Sequence, residues 1–450
     1  MGGMVSDWKE ELGRFLKPFL ARLSHKARRR MCPLYVTGLI GPGDRKSIQP
    51  MAERLALGDY DQLHHFIADG VWDARPVETE LLVQADRLVG GHDAVLVIDD
   101  TAIPKKGTHS VGVAPQYASA LGKTANCQTL VSLTLAQGEV PVMLALRLFL
   151  PDSWTGNRAR LRRAGVPAEY RRAQTKPEMA LTEIDRVIAA GVRFGCVLAD
   201  AGYGTSAPFR QGLTARNLVW AVGIPRHLKV YPAKVQMIWP VAGRRTRRRH
   251  VPDSLPIAAE DMLAEATWRN ISWRTGTKGK LKARFAAVRV RVADGPRQRI
   301  GDKDQQHLPG DEAWVIGEHR LSGEKKYYLA NLPAKTDLRS LAAAIKARWV
   351  CEQAHQQLKE ELGLDHFEGR SWQGLHRHAL MTMVAYAFLQ YRRLASAGRK
   401  KKNQRATAST NLAGRAPRHP RTLRSTVATA MPILPKMDLH RAAARVNLPK

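Results

Sequence analysis

Cysteine is nearly missing from this sequence: four in 450 residues (Cys32, Cys127, Cys196 and Cys351), with no CxxC spacing among them. That excludes a disulfide framework and a zinc knuckle, and it fits a reducing compartment. Long apolar runs are missing too. The longest, Ala379 to Leu389, is too short to span a bilayer and lies between basic segments. The opening MGGMVSDWKEELGRF mixes acidic and basic residues, so no secretory signal is expected. Acidic residues are scarce against basic ones, 40 to 72, leaving a formal net charge of +32. An excess of that size repels itself unless a polyanion neutralises it, which points to nucleic acid. A membrane surface is the rival partner, but the sequence shows no membrane-seeking segment.

What is present is ample for folding. Apolar residues make up 44% of the chain, which excludes a mostly disordered protein. Its length predicts two or three domains. Residues 1 to about 90 read as helices, with apolar positions at helical spacing from Trp8 to Leu23. A second helix, capped by Ser47 with Pro50 in its first turn, runs to Leu57. Gly58-Asp59 breaks it, and Tyr60 to Ala68 begins another. Helix, tight turn, helix admits either a DNA-reading motif or an ordinary helical hairpin.

From Ala94 the pattern changes. AVLVID is a short Val-rich apolar run of the kind that forms a buried strand. SVGVAPQY, NCQTLVSLTLA and EVPVMLALRLFL follow as further strands. Lys176 to Ala190 reads as a helix stopped by Gly191. FGCVLAD is a second buried strand ending in Asp200, followed by a helix from Ser206 to Ala215 and the strand LVWAVG. Residues 225–333 interrupt this rhythm with alternating runs (FAAVRVRV, AWVIGEHR, KKYYLANL) and form a β-rich insertion. It carries the basic cluster Arg244, Arg245, Arg247, Arg248 and Arg249, a candidate DNA contact. Asp337 opens a long helix through Leu362, and Trp372 to Arg393 is another. Residues 396–450 read as a basic, flexible tail.

Two acids end buried strands, Asp99 and Asp200. Such residues are costly inside a core and natural at the mouth of a sheet. Each taken alone is equally a loop-start residue or helix cap. In the helix after the insertion stand Arg348, Glu352 and Lys359, and offsets of four and seven put them within roughly 40° of one another. An exposed ion-pair stripe gives the same spacing. Against that, Ile345, Trp349 and Leu358 lie on or near the same side. Phosphodiester cleavage by two divalent ions calls for a few carboxylates converging from rigid elements, and magnesium favours such oxygen ligands.

These residues together resemble the DDE transposases of bacterial insertion sequences, in the branch with a β-rich insertion before the last acid. The helix signature of that family is Tyr, two residues, Arg, three residues, Glu, six residues, Lys; the chain has Ile345, Arg348, Glu352 and Lys359 at those spacings. Ile345 departs from the family's Tyr. IDDTAIPKKGTHSVGVAPQY, LADAGYG and RWVCEQAHQQLKEELGLDHFEGRSW also look like motifs of one subgroup, and the resemblance spans about residues 30–393. It implies an α/β chain whose ribonuclease-H-like catalytic core (91–224 and 334–395) is interrupted by the β-rich insertion (225–333), behind an N-terminal helical DNA-binding region (1–90). It implies two Mg²⁺ or Mn²⁺ ions held by Asp99, Asp200 and Glu352, with Asp100 the alternative first ligand, and Arg348 and Lys359 on the DNA backbone. The implied partners are the terminal inverted repeats, target DNA and a second copy of the chain on DNA, in a bacterial cytoplasm at the nucleoid. The implied activity is cut-and-paste transposition. A catalytically silent DNA-binding protein and a nuclease that does not join strands are the alternatives.

Other residues carry weaker signals. Lys105, Lys106 and His109 follow the first acid and are candidate phosphate contacts, or an ordinary basic loop. Tyr203 and Gly204 read as turn-makers. Trp239, Trp268 and Trp273 in the insertion, and Trp349, are candidates for DNA contact or for packing. His376 and His378 read as surface residues without a role.

Overall fold

The computed structural model describes residues 3–55, 60–118, 121–239, 249–276, 279–300 and 305–412. The N-terminal part is helical: α1 (Gly3–Ala21), α2 (Lys26–Ile40), α3 (Ile48–Leu55), α4 (Tyr60–His64, continued by one π turn) and α5 (Arg75–Val89). In α1 the apolar side chains Leu12, Leu16 and Phe19 recur every three or four residues and are buried together, as an amphipathic helix requires. Pro76 sits in the first turn of α5 and Gly90 ends it.

The strands follow as β1 (Val95–Pro104), β2 (Ala114–Ala118), β3 (Lys123–Gln137) and β4 (Val140–Leu148). Gly138, at φ +60°, makes the two-residue turn that joins β3 to β4. The expected strand over SVGVAPQY begins only at Ala114, because Gly112 (φ +73°) turns the preceding residues. Next come α6 (Asp152–Thr155), α7 (Arg158–Arg163) and α8 (Lys176–Ala189), the last opened by a reciprocal Thr175–Glu178 capping box. β5 (Cys196–Ala199), α9 (Ala201–Gly204), α10 (Ala207–Ala215) and β6 (Trp220–Ile224) follow.

Residues 225–333 hold β7 (Lys229–Pro232), β8 (Met237–Ile238), β9 (Val251–Pro252), β10 (Ile257–Ala258), α11 (Ala259–Met262), β11 (Arg269–Gly276), β12 (Gly279–Val292), β13 (Arg297–Arg299), β14 (Gln305–His307), β15 (Glu312–His319) and β16 (Lys325–Ala330). The chain then enters α12 (Leu338–Lys346), α13 (Trp349–Glu360) and α14 (Trp372–Leu412).

Most of these strands join one mixed sheet in the order β10-β7-β12-β15-β16-β6-β5-β1-β3-β2, with β4 also on β3 and β11 also on β12. β1, β5 and β6 run parallel, β3 runs antiparallel to β1, and β16 runs antiparallel to β6. The β-rich segment therefore extends the same sheet through the β16–β6 pairing. Alternation along β1 separates two cores. Leu96 and Ile98 face a core shared with α1, α2, α5 and α14, whereas Val97 faces Leu341, Ile345, Val350 and Cys351 of α12 and α13.

Four expectations need correction. Asp99 does not end its strand, because β1 stays paired with β3 as far as Pro104 and the acid sits at mid-strand. The single helix predicted from Asp337 to Leu362 is two. Asp337 caps α12, and at Ala347–Arg348 hydrogen bonding tightens to an i→i+3 pattern before α13 starts. The helix expected to end at Arg393 continues to Leu412, through residues that contain no proline and only Gly398 as a weak breaker; residues 413–450 of the predicted tail lie outside the described residues. His376 and His378 are not surface residues. His378 is fully buried between the Tyr35 hydroxyl (2.8 Å) and the Gly363 carbonyl (3.0 Å), and His376 accepts from the Leu148 N–H. They lie on the part of α14 enclosed by the N-terminal helices and the sheet, which a reading of local polarity alone does not anticipate. Among the described residues, no helix is long and apolar enough to cross a membrane.

Candidate active site

The pairing of β1 with β5 ends at Ile98 opposite Ala199, so the next residues, Asp99 and Asp200, stand level on neighbouring parallel strands. Strands so paired are about 4.8 Å apart. Asp200 closes β5 and caps the short α9, accepting from the Tyr203 N–H at 3.3 Å. The third acid arrives on α13. Arg348, at the start of that helix, donates from Nη1 to Asp99 Oδ2 (2.6 Å) and from Nη2 to Glu352 Oε1 (2.8 Å). One planar guanidinium thus ties an acid of β1 to an acid of α13. The Cys351 thiol also donates to Asp99 Oδ2, at 3.1 Å.

The electrostatics follow from burial and crowding. Burial raises the pKa of Asp200, and the Asp99 charge adds to the rise. Burial disfavours the Arg348 charge, but Asp99 above all, with Cys351, Glu352 and Asp200, outweighs it and raises the Arg348 pKa further. Burial and the neighbouring Asp99 push the Cys351 thiol well up, so it stays a protonated donor. Behind the acid, Ser132 Oγ donates to the Asp99 carbonyl (3.0 Å) and pairs with His355 Nε2 (2.8 Å). Burial brings His355 down to about 4 and keeps its ring neutral near pH 7.

Asp100 points to the other face of the sheet, as alternation demands. It accepts from the Tyr203 hydroxyl and from Lys176 of α8. Asp99 is therefore the acid of this pair that shares a face with α13, and Asp100 braces α8 and α9 against β1.

Asp200, Arg348 and Glu352 line one cleft of about 890 Å³, with Trp349, Lys346, Arg226, Arg320, Lys325 and Lys326 among its walls. The donors are carboxylate oxygens, which suit a hard divalent cation. As they stand, no three acidic, histidine or cysteine side chains among the described residues are grouped to hold an ion, and the Arg348 guanidinium bonds both Asp99 and Glu352.

The remaining candidates are dispersed. Lys359 is half-buried near Asp365 and Cys127, two turns along α13, and is not among the residues lining the cleft. Lys105 donates to the Phe367 carbonyl at 2.7 Å, which fastens the 365–367 segment; Lys106 and His109 are exposed. Arg249 is exposed, whereas Arg244, Arg245, Arg247 and Arg248 lie outside the described residues. Trp349 packs beneath the Arg274 guanidinium at 3.8 Å, Trp273 against Phe285 and Lys346, and Trp268 near His319; Trp239 is exposed beside His250. Ile345, in the Tyr position of the helix signature, is buried among apolar side chains.

Sequence reasoning missed Cys351, Ser132, His355 and Lys176 as neighbours of the acids, and it placed Tyr203 at the turn after Asp200 without its bond to Asp100. Cys351 adjoins Glu352 in the chain and was open to discovery by helical position alone. Ser132 reaches Asp99 only through the β1–β3 register, and His355 reaches Ser132 only where α13 packs on the sheet.

A model of the DDE superfamily endonuclease family matches residues 18–280, and a model of the transposase DDE domain matches residues 174–388. The probable transposase for insertion sequence element IS701 from Microchaete diplosiphon is 32% identical over 188 residues. That stretch is 42% of this chain and 46% of the relative, so the match spans about half of the relative's length. Among solved structures, the piggyBac transposase synaptic complex with hairpin DNA matches 87% of this chain and 74% of that chain at 9% identity. Its TM-score is 0.38, too low to carry an argument. The family match that includes Asp99 and Asp200 covers more than half of the sequence, and the chain accordingly belongs to the DDE superfamily endonucleases.

Proposed function

We propose that the protein is an insertion-sequence DNA transposase that works by cut-and-paste, with Asp99, Asp200 and Glu352 as its metal ligands. The observation that carries this reading is the meeting of three segments: Asp99 and Asp200 level on parallel strands, and Glu352 joined to Asp99 through Arg348. Family membership implies a divalent metal, and the crowded carboxylates, one with its pKa raised by burial and by its neighbour, fit that implication. Two Mg²⁺ or Mn²⁺ ions bound there would supply activation of the attacking oxygen and stabilisation of the leaving one.

The chain's own residues do the rest. Ser132 and Cys351 fix Asp99, and the start of α9 fixes Asp200. Arg226, Arg320, Lys325 and Lys326 present a cationic wall to a DNA phosphate. Water attacks the phosphodiester at the element's end and frees a 3′-hydroxyl. That hydroxyl then attacks a target phosphodiester and displaces a target 3′-hydroxyl, or attacks the opposite strand to form a hairpin.

The β1, β3, β4, β5 and β6 strands form the ribonuclease-H-like core in this reading, and residues 225–333 are its insertion. Residues 1–90 and the basic residues Arg244–Arg249 and Lys359 contact DNA. The chain acts as a homodimer on terminal inverted repeats, at the bacterial nucleoid.

The test is strand transfer with terminal-repeat DNA and Mg²⁺ or Mn²⁺. Glu352→Gln is expected to abolish cleavage and joining while sparing DNA binding, and a variant that still cleaves would refute the role given to Glu352. Cleavage without any joined product would favour a plain nuclease. Binding without nicking under any divalent ion would favour a silent DNA-binding protein.

A further inference from the structure

We propose that Arg348 is an internal counter-cation of the acid cluster, which a divalent ion must displace from Asp99 and Glu352. The inference rests on the reading of those acids as metal ligands. Arg348 uses two nitrogens on two acids, and the oxygens it holds, Asp99 Oδ2 and Glu352 Oε1, are ones a hard cation would need. Asp99 Oδ2 already accepts from both Arg348 and Cys351, so its acceptor positions are filled, and of the two donors the guanidinium is the one whose positive charge a divalent ion repels.

Arg348 is also placed to leave. Its side chain is 26% exposed and Glu352 is 62% exposed, both on the open cleft. Other cations of that cleft are fastened elsewhere: Lys346 donates to Glu318 Oε1 at 2.7 Å, and Arg320 donates to the same carboxylate at 3.1 Å. Among the described residues, the hydrogen bonds of the Arg348 guanidinium go to the two acids alone. Once displaced it would enter the cleft beside Lys325 and Lys326, where a DNA phosphate offers a bidentate partner. Metal entry and phosphate capture are then two halves of one exchange, with positive charge never absent from the carboxylates.

The test is Mn²⁺ binding to the full chain without DNA, followed by electron paramagnetic resonance of the free ion. Arg348→Ala is expected to bind Mn²⁺ about tenfold more tightly than the unaltered protein, since charge-assisted hydrogen bonds no longer compete. Arg348→Lys, which keeps the charge but cannot bridge both acids, is expected to fall between. Arg320→Gln removes a cation of the same cleft that is not on the ligands, and screening should hold its effect within about twofold. A gain in affinity is a result that a damaged fold cannot produce, and the lysine variant carries the test should the alanine variant not fold. If neither Arg348 variant binds more tightly while Asp99→Asn abolishes binding, the counter-cation role is overturned and the ligand reading stands. An equal gain in Arg320→Gln reduces the effect to general charge and also overturns it. If neither the unaltered protein nor either Arg348 variant binds Mn²⁺, the ligand reading falls and this inference falls with it.

Discussion

Arg147 and Arg348 each hold two carboxylates from distant parts of the chain, yet the two clusters are built to opposite ends. Arg147 of β4 donates from Nη1 to Glu78 of α5 (2.7 Å) and from Nε to Glu183 of α8 (2.8 Å), and Arg186 adds a further bond to Glu183 (2.8 Å). The Arg147, Glu78 and Glu183 side chains are 12%, 10% and 8% exposed. That cluster is largely closed off from solvent by the packing of α5 and α8 on the sheet. Around Arg348 the second acid faces water, and the cleft beside it is open. The same chemical parts fasten the fold where they are sealed, and can exchange partners where one acid is left exposed.

The contrast can be broken most forcefully at Arg147. Arg147→Met leaves two buried carboxylates to Arg186 and should cost about 3–5 kcal/mol, whereas Arg348→Met should cost less than about 1 kcal/mol. Urea denaturation followed by circular dichroism reads both, and equal losses would erase the distinction. Acid sharpens the contrast somewhat less. Burial pushes Glu78 upward, but Arg147 outweighs it and holds its carboxyl at about 2, below the ordinary 4.5. A carboxylate whose folded pKa is depressed stabilises the protein above its unfolded value, and that contribution is lost as pH falls from 4.5 towards 2. It amounts to about 3 kcal/mol. Stability measured across that window should fall steeply, and Glu78→Gln should flatten the slope. The smallest effect is expected at the brace behind the site. Tyr203→Phe removes the hydroxyl on Asp100 and should cost about 1 kcal/mol in the same denaturation experiment, with α9 left in place by the Asp200 cap.

Much of the scaffold was legible before folding, for physical reasons that are local. β1 opens with a Val-rich run that leads into its two acids, β5 is a short apolar run followed at once by Asp200, and α8 carries a proline in its first turn and a glycine after its last. Asp200 could be placed because a strand end and a helix start adjoin in sequence. The choice between Asp99 and Asp100 could not be made that way. Alternation puts them on opposite faces, but only packing tells which face receives α13. Arg147 sits in a strand that reads as uniformly apolar, and its two partners lie 69 and 36 residues away. The break at Ala347–Arg348 has neither glycine nor proline to announce it, so helical periodicity ran straight through.

The β16–β6 pairing makes the sheet a ruler. β1, β5, β6 and β16 are consecutive rungs, so the strand that carries Lys325 and Lys326 stands three rung spacings, roughly 14 Å, from the strand that carries Asp99. A hydrogen-bonded ladder is stiff across its rungs. The spacing between the strand of the proposed ligand Asp99 and the strand of Lys325 and Lys326 is therefore set by backbone geometry rather than by a hinge, and a duplex bound as proposed would have to fit that gauge.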